Sequence, residues 1–269
     1  MPIAEVNGQR IYWEEAGEGE PLMLVMGLTA DHLAWALQVR ELQKHFRVIT
    51  FDNRDVGQSS QAEGEYEITD MAADAMGLAD ELRLDSFHLV GASLGGAIAQ
   101  EMALSSPDRI STLTLAITWA GAGNWGRKWH RLWTAQVERT PWEEHVDNLM
   151  LLVFSEEFFD DQEKVTFMRQ TMLGNPFPQS TEAFARQAGA AGRHETRERL
   201  PHLKMPVHVI GAEHDRLVPL WKCEEIADLI PGAKLTVIER AAHSVNIERP
   251  DEFNAAVRDF ILAAERQAA

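Results

Sequence analysis

Short apolar runs that alternate with helical patterns constrain the fold of this chain more than any other feature of its sequence. Six runs have the length and composition of buried strands, and the run at 10–17 alternates like an edge strand. The buried runs are 21–26, 47–52, 87–92, 111–118, 206–212 and 234–239. Helical patterns occur at 33–45, 68–83, 94–105, 220–229 and 250–266. This alternation predicts a largely parallel sheet with helices on both faces.

The alternation stops between about residues 120 and 203, where only helical patterns rich in large apolar residues occur. Trp125, Trp129 and Trp133 recur at every fourth position, so they are predicted to share one helix face. We call residues 120–203 the helical insertion. The predicted division is a core domain of residues 1–119 and 204–269, with a helical domain of residues 120–203.

The composition is that of a globular protein, with 45% hydrophobic and 25% charged residues. A formal net charge of −17 argues against binding to nucleic acid or to anionic membranes. The N-terminal stretch lacks the basic and apolar regions of a signal peptide, so a cytoplasmic location is expected. The one cysteine, Cys223, has two glutamates beside it, which disfavour a reactive thiolate.

Glycines flank a serine in the stretch "LVGASLGGAIAQ", where a predicted strand meets a predicted helix. A strand–turn–helix this short holds Ser93 in a strained backbone conformation, and Gly91, Gly95 and Gly96 avoid the clashes that larger neighbours would cause. The amino end of the following helix favours negative charge at the serine. The stretch therefore predicts a nucleophile at Ser93, which needs a base and an acid elsewhere in the chain.

The candidate base is His243 in "ERAAHSVNIERP", after the last predicted strand and before the last helix. This places it at the carboxyl edge of the sheet, the same edge as Ser93. The histidines on or beside the helical insertion lack that placement and are predicted to lie on the surface. They are His130, His145, His194 and His202.

The candidate acid is Asp215, in the loop after the penultimate strand. Glu213 lies in the same loop but nearer the strand, and is less favoured. Asp52 and Asp55 form a rival pair after an earlier strand, where turn-forming and backbone-capping roles suit them better. The candidate residues then occur in the order serine, aspartate, histidine.

That order and three loops resemble the α/β-hydrolase superfamily, in its serine esterase and lactonase branch with a helical cap domain. The stretch "FDNRDVGQSS" resembles the family's loop after strand 4, "GAEHDRLVP" its acid loop and "AHSVNIERP" its histidine loop. The resemblance covers about residues 10 to 262. It implies a mostly parallel eight-stranded sheet flanked by helices, with residues 120–203 as an all-helical cap.

The resemblance also implies the roles of individual residues. Ser93 would be the nucleophile, His243 the base and Asp215 the acid that orients it. The backbone N–H groups of Leu28 and Leu94 would form the oxyanion hole. Three positions depart from the family pattern. Met26 replaces a frequent histidine, which leaves the main-chain donors of the oxyanion hole unchanged. Asp55 and Ala242 replace glycines, and these two replacements concern the conformation of their loops rather than the chemistry.

An apolar helical insertion predicts an apolar pocket above Ser93. The residues expected to line it are Gly27, Trp125, Trp129, Met168 and Val218. The sequence contains no phosphate-binding loop, dinucleotide fingerprint or cluster with metal-ligand spacing, so neither a cofactor nor a metal is expected. The expected partner is a small-molecule ester or lactone, and a homodimer remains an open alternative.

Serine rather than aspartate as nucleophile argues against the haloalkane dehalogenases and epoxide hydrolases of the superfamily. The prediction is a carboxylesterase that cleaves small to medium apolar esters through an acyl-enzyme. Enol-lactone hydrolysis is a close alternative, and carbon–carbon bond hydrolysis is less favoured because no cationic group is assigned to a substrate carboxylate. The non-enzyme alternative is a receptor that binds small molecules and hydrolyses them slowly.

Overall fold

An eight-stranded sheet forms the centre of the protein, as described by the computed structural model for residues 2–268. The strands are Ile3–Val6 (β1), Gln9–Ala16 (β2), Pro21–Val25 (β3), Arg47–Phe51 (β4), Phe87–Ala92 (β5), Ile110–Ala116 (β6), Val207–Ala212 (β7) and Lys234–Ile238 (β8). Their order in the sheet is β1-β2-β4-β3-β5-β6-β7-β8. Strands β3 to β8 pair in parallel, and β1 and β2 are antiparallel to their neighbours.

Helices follow most of the parallel strands. The α-helices are Ala36–Leu42 (α1), Ile68–Glu81 (α2), Leu94–Ser105 (α3), Gly123–Val137 (α4), Trp142–Val153 (α5), Glu156–Asp160 (α6), Gln162–Leu173 (α7), Thr181–Arg193 (α8), Trp221–Leu229 (α9), Val245–Glu248 (α10) and Pro250–Ala268 (α11). Short 3₁₀ helices occupy His32–Trp35, Pro107–Arg109 and Leu200–His202. The predicted fold, a mostly parallel eight-stranded sheet flanked by helices, is confirmed.

Each face of the sheet has its own hydrophobic core, because successive side chains of a strand point to opposite faces. In β3, Met23 and Val25 belong to the core under α2, α3 and α9. Leu22 and Leu24 belong to the core under α1 and α11 on the other face. Continuous apolar runs are therefore the expected sequence of the central strands, which are covered on both sides.

The sequence pattern identified seven of the eight strands and missed β1. This short strand pairs with β2 through a two-residue turn at Asn7 and Gly8, whose φ angles are 50° and 75°. Both angles are left-handed, as the preferred two-residue hairpin turn requires, and Asn-Gly is the strongest sequence signal for it. That dipeptide is the signal that could have located β1.

Five helices, α4 to α8, lie between β6 and β7 in the chain and pack over the carboxyl edge of the sheet. Within this segment α4 packs on α8. Several contacts attach it to the loops of the sheet. Among them, Arg186 pairs with Asp55 at 2.6 Å, and the backbone N–H of Ser244 donates to the carbonyl of Val153 at 2.7 Å. Between residues 2 and 268, no helix is long and apolar enough to cross a membrane.

Candidate active site

Ser93 sits at a sharp turn between the end of β5 and the start of α3. Its backbone has a φ of 56° and a ψ of −122°, which is a strained conformation for a residue other than glycine. Neighbouring side chains are excluded: a Cβ at Gly91 would overlap the carbonyl oxygen of Gly95, and a Cβ at Gly95 would overlap that of Val25. The turn therefore presents the hydroxyl of Ser93 at the carboxyl edge of the sheet.

The structure brings the three candidate catalytic side chains together. Ser93 Oγ lies 2.9 Å from Nε2 of His243, and Nδ1 of His243 lies 2.8 Å from Oδ2 of Asp215. Asp215 and His243 are both buried, at 7% and 8% exposure. The residues come from loops after three different parallel strands, so the topology of the sheet, rather than nearness in sequence, makes this contact.

Backbone amides fix the second oxygen of Asp215. Oδ1 accepts hydrogen bonds from the N–H groups of Leu217 and Val218, at 2.9 and 2.8 Å. Oδ2 is thereby left to face His243. The rival Asp52 is occupied elsewhere, because it accepts from the backbone and ring nitrogens of His32 and from the backbone N–H of Gln58, all within 2.8 Å. Asp52 thus has the capping role predicted for it.

Glu248 holds the loop that carries His243, and sequence reasoning gave it no role. Its carboxylate accepts from the backbone N–H of Ala242 at 2.9 Å and from the N–H of Ser155 at 3.1 Å. The histidine loop and the helical insertion are therefore joined through one side chain. The available signal was the glutamate in the "AHSVNIERP" loop.

The loop after β3 approaches Ser93 closely. A Cβ placed on Gly27 would lie only 2.9 Å from Cβ of Ser93 and 3.3 Å from its Oγ, so only glycine allows this approach. The next residue, Leu28, has an N–H that makes no backbone hydrogen bond within residues 2–268. Leu94 begins α3, so its N–H lacks a partner within the helix. Both amides belong to residues that line the cavity at Ser93.

A cavity of about 1330 Å³ lies between the sheet edge and the helical insertion. Ser93 and His243 line it, as do all five residues predicted for the pocket: Gly27, Trp125, Trp129, Met168 and Val218. In α4 the rings of Trp125 and Trp129 stack with centroids 5.6 Å apart, and the ring centroids of Trp129 and Trp133 lie 6.3 Å apart, so the predicted common helix face of the three tryptophans is confirmed. Trp125 is 60% exposed and lies at the rim.

The prediction of surface positions for four histidines is wrong for two of them. His145 and His194 are buried, His130 is partly buried, and only His202 is exposed. Burial lowers the pKa of His194 to about 3 and that of His130 to about 4. The helical pattern alone did not show which face of each helix packs inward.

Cys223 is fully buried beneath the sheet edge, and burial raises the pKa of its thiol to about 12. A thiol in this state is a poor nucleophile, as predicted. Within the part of the chain that the structure describes, no three His, Cys, Asp or Glu side chains are grouped so that they could hold a metal ion.

Comparison with known sequences identifies the family of the chain. The family profile described as the alpha/beta hydrolase fold matches residues 20–250. The chain belongs to the α/β-hydrolase family. The curated relatives similar to it are named as hydrolases or esterases, and the chain is a hydrolase of this fold.

Two curated relatives match the α/β-hydrolase chain over nearly its whole length. "Putative carbamate hydrolase RutD" of Azorhizobium caulinodans is 26% identical over 260 residues, 97% of this chain and 98% of the relative. The pimeloyl-(acyl-carrier protein) methyl ester esterase of Aliivibrio salmonicida is 29% identical over 260 residues, 93% and 95% of the two chains.

Among solved structures, the enol-lactonase from Burkholderia xenovorans LB400 is similar, with a TM-score of 0.87 and 29% identity. The match covers 97% of this chain and 100% of the enol-lactonase. A thermophilic esterase from Thermogutta terrifontis matches with a TM-score of 0.87 and 28% identity over 98% of both chains.

Proposed function

We propose that this α/β-hydrolase is a serine carboxylesterase that cleaves small to medium, largely apolar esters. The observation that carries the proposal is the chain of contacts from Ser93 Oγ to His243 Nε2, at 2.9 Å, and from His243 Nδ1 to Asp215 Oδ2, at 2.8 Å. Serine alone is a weak nucleophile, and this arrangement supplies the base and the orienting carboxylate that activate it.

In the proposed reaction, Ser93 Oγ attacks the ester carbonyl while Nε2 of His243 takes the hydroxyl proton. The carboxylate of Asp215 stabilises the imidazolium that forms. The N–H groups of Leu28 and Leu94 donate to the oxyanion of the tetrahedral intermediate. His243 then gives its proton to the leaving alkoxide, which departs as the alcohol and leaves an acyl group on Ser93. Water, activated by His243, hydrolyses the acyl-enzyme.

The helical insertion, residues 120–203, is proposed to act as a cap that selects the substrate. Its side chains Trp129 and Met168 line the cavity that Ser93 also lines, and the segment supplies none of the proposed catalytic residues. Apolar walls favour acyl and alcohol groups that lose hydrated surface on binding. The pimeloyl ester esterase and the thermophilic esterase, both similar over nearly the full chain, support ester substrates.

Lactone hydrolysis is the second candidate, and the similarity to the enol-lactonase favours it. A lactone is a cyclic ester, so the same attack by Ser93 opens it. The leaving oxygen then remains part of the acyl group. The two activities therefore differ in the shape of the cavity rather than in the catalytic groups.

Hydrolysis of a panel of p-nitrophenyl esters and of lactones tests the proposal, with Ser93→Ala and His243→Ala as controls. We expect repeated turnover by the wild type and a loss of several orders of magnitude in kcat for each variant, with little further loss in the double variant, because the residues act as one unit. Losses that multiply in the double variant, or full activity of Ser93→Ala, would contradict the assignment. A burst of one equivalent without turnover would indicate a receptor.

A further inference from the structure

Lys222 is an unusual residue in the wall of the cavity. Its side chain belongs to the first turn of α9 and is only 7% exposed, yet it lines the cavity that contains Ser93. Nζ donates one hydrogen bond, to the carbonyl oxygen of Gly121 at 3.1 Å, and lies 4.3 Å from the centre of the Trp221 ring. An ammonium group has three donors, and the described residues supply a hydrogen-bond acceptor for one of them.

The acidic side chains near Lys222 are already paired with another cation. Arg197 donates from Nη1 to Glu195 at 2.6 Å and from Nε to Glu225 at 2.7 Å, and its Nη2 shares the carbonyl of Gly121 with the lysine. No carboxylate in residues 2–268 forms an ion pair with Lys222 within 4.0 Å. Glu225 and Glu195 act on Lys222 only at longer range, and they raise its pKa less than burial lowers it.

Two physical effects disfavour a cation at this place. Burial removes water from the ammonium and lowers the pKa of Lys222. The amino end of a helix carries partial positive charge, so a lysine in the first turn of α9 is repelled by the helix itself. A bound anion would offset both effects, because it supplies a hydrogen-bond acceptor and a compensating charge.

A short series of contacts connects Cys223, the neighbour of Lys222 in α9, to the backbone of Ser93. The neighbouring Cys223 Sγ lies 3.7 Å from the carbonyl oxygen of Thr118, and Oγ1 of Thr118 donates to the carbonyl oxygen of Ser93 at 2.7 Å. Val218, whose N–H holds Asp215, lines the cavity between these elements. Lys222 and Ser93 line the same cavity.

The other charged groups of the cavity are already engaged. Lys164 is 69% exposed and pairs with Asp161 at 3.1 Å. Burial lowers the pKa of His130 to about 4, so that imidazole is neutral at pH 7. Asp31 accepts the backbone N–H of Leu33, and Glu248 holds the histidine loop as described above. These groups leave Lys222 as the buried cation available to a ligand.

We propose that Lys222 binds a carboxylate of the substrate, so that the preferred ester carries a second, anionic group. The proposal rests on ester hydrolysis at Ser93 and specifies its substrate class. The neutral part of the substrate contacts the apolar walls, and the carboxylate contacts the ammonium at the side of the cavity near Gly121. Lys222 is a specificity-determining residue and takes no part in bond cleavage.

Two esters of matched length test the proposal: p-nitrophenyl pentanoate and the mono-p-nitrophenyl ester of glutaric acid. The wild type should prefer the glutarate ester. We compare kcat/KM for the glutarate ester with kcat/KM for the pentanoate ester. In Lys222→Met and Lys222→Gln this ratio should fall about tenfold to a hundredfold, because a charge-assisted contact is lost. The fall should come mainly from a higher KM for the glutarate ester. Lys222→Arg should retain most of the preference. Lys128→Met is the control, because Lys128 is exposed on α4 and its loss changes the net charge equally.

A wild type without preference for the anionic ester would overturn the proposal, as would an unchanged ratio in folded Lys222→Gln. The glutamine retains a donor for Gly121 and so serves if the methionine variant does not fold. Binding of monomethyl glutarate to Ser93→Ala protein, with and without Lys222→Met, separates this proposal from the esterase assignment. If monomethyl glutarate binds in a way that depends on Lys222 but no ester is turned over, only the proposed esterase function is contradicted. If esters are turned over but the preference for the glutarate ester is the same without Lys222, only the role of Lys222 is contradicted.

Discussion

Two buried aspartates follow strands at the carboxyl edge of the sheet, and the contacts of each imply a different role. Asp215 contacts the imidazole of His243 at 2.8 Å. Asp52 is fully buried and joins the backbone of His32 to that of Gln58. The first carboxylate is placed to act in the proposed reaction, and the second is placed to hold two loops.

Asparagine at each position should separate these roles. Asp215→Asn should lower kcat by about 10⁴-fold, because the amide favours the wrong tautomer of His243, while unfolding changes little. Asp52→Asn should lower the free energy of unfolding by about 1–3 kcal/mol, because an amide NH₂ replaces one of its two acceptor oxygens. Ester kinetics and urea denaturation measure the two effects. A larger loss of kcat in Asp52→Asn would show that the acid is misassigned.

At the residue scale, sequence reasoning located groups whose signal is local. Ser93 is marked by its own turn, and Asp215 and His243 by loops after strands. Glu248 and Lys222 were missed because their importance depends on contacts with Ser155 and Gly121, which are distant in sequence. The sequence assigned no cation to a substrate carboxylate, and the proposed role of Lys222 would supply one.

At the scale of elements, α4 combines residues that contact the cavity with residues that pack the helical insertion. Trp125 is 60% exposed and stacks on Trp129. Trp133 is buried and packs edge-on against Phe184 of α8, with ring centroids 5.2 Å apart. Trp125 and Trp133 both line the cavity, but only Trp133 is also packed inside the helical insertion.

Alanine substitutions in α4 should show this division. Trp125→Ala should change the preference among acyl lengths by about tenfold to a hundredfold and keep kcat on the smallest ester, because cavity volume changes while Ser93 is untouched. Trp133→Ala should lower the free energy of unfolding by about 3–5 kcal/mol through loss of packing. Equal loss of activity on every ester in folded Trp125→Ala protein would instead place α4 in the catalytic machinery.

Strands and helices were predictable from the sequence where the spacing of apolar residues was clear. The central strands were found because burial on both faces makes them continuous apolar runs, and α3 was predicted with its observed bounds, Leu94–Ser105. Strand β1 was missed because four residues give too short a pattern. The predicted helix at 33–45 is divided into a 3₁₀ turn and α1, a distinction that depends on local hydrogen bonds rather than on periodicity.

At the scale of the whole molecule, buried histidines connect stability to pH. The pKa of His130 is lowered to about 4, and that of His208 also to about 4, in both cases chiefly by burial. The ordinary histidine pKa is near 6.5, so the unfolded chain binds more protons between pH 4 and 6.5. Stability from these groups is present above pH 6.5 and is lost as the pH falls towards 4.

Replacing one such histidine should reduce this acid sensitivity. Between pH 7.5 and 5.0, His130→Phe should lose about 1–2 kcal/mol less free energy of unfolding than the wild type, because one proton uptake is removed. Urea denaturation at both pH values measures the difference. His202→Gln, at an exposed position, is the matched control and should behave like the wild type. An unchanged pH dependence in His130→Phe would show that His130 is not neutral in the folded protein.

Covalent labelling tests most directly whether Ser93 is the activated nucleophile of the proposed reaction. A fluorophosphonate should add one phosphonyl group per chain, on Ser93, with loss of esterase activity. His243→Ala protein should remain almost unlabelled, because the base that activates the serine is absent. Intact-mass and peptide mass spectrometry give stoichiometry and position. Label on another residue, or folded and active protein in which Ser93 stays unmodified, would contradict the assignment of Ser93 as the nucleophile.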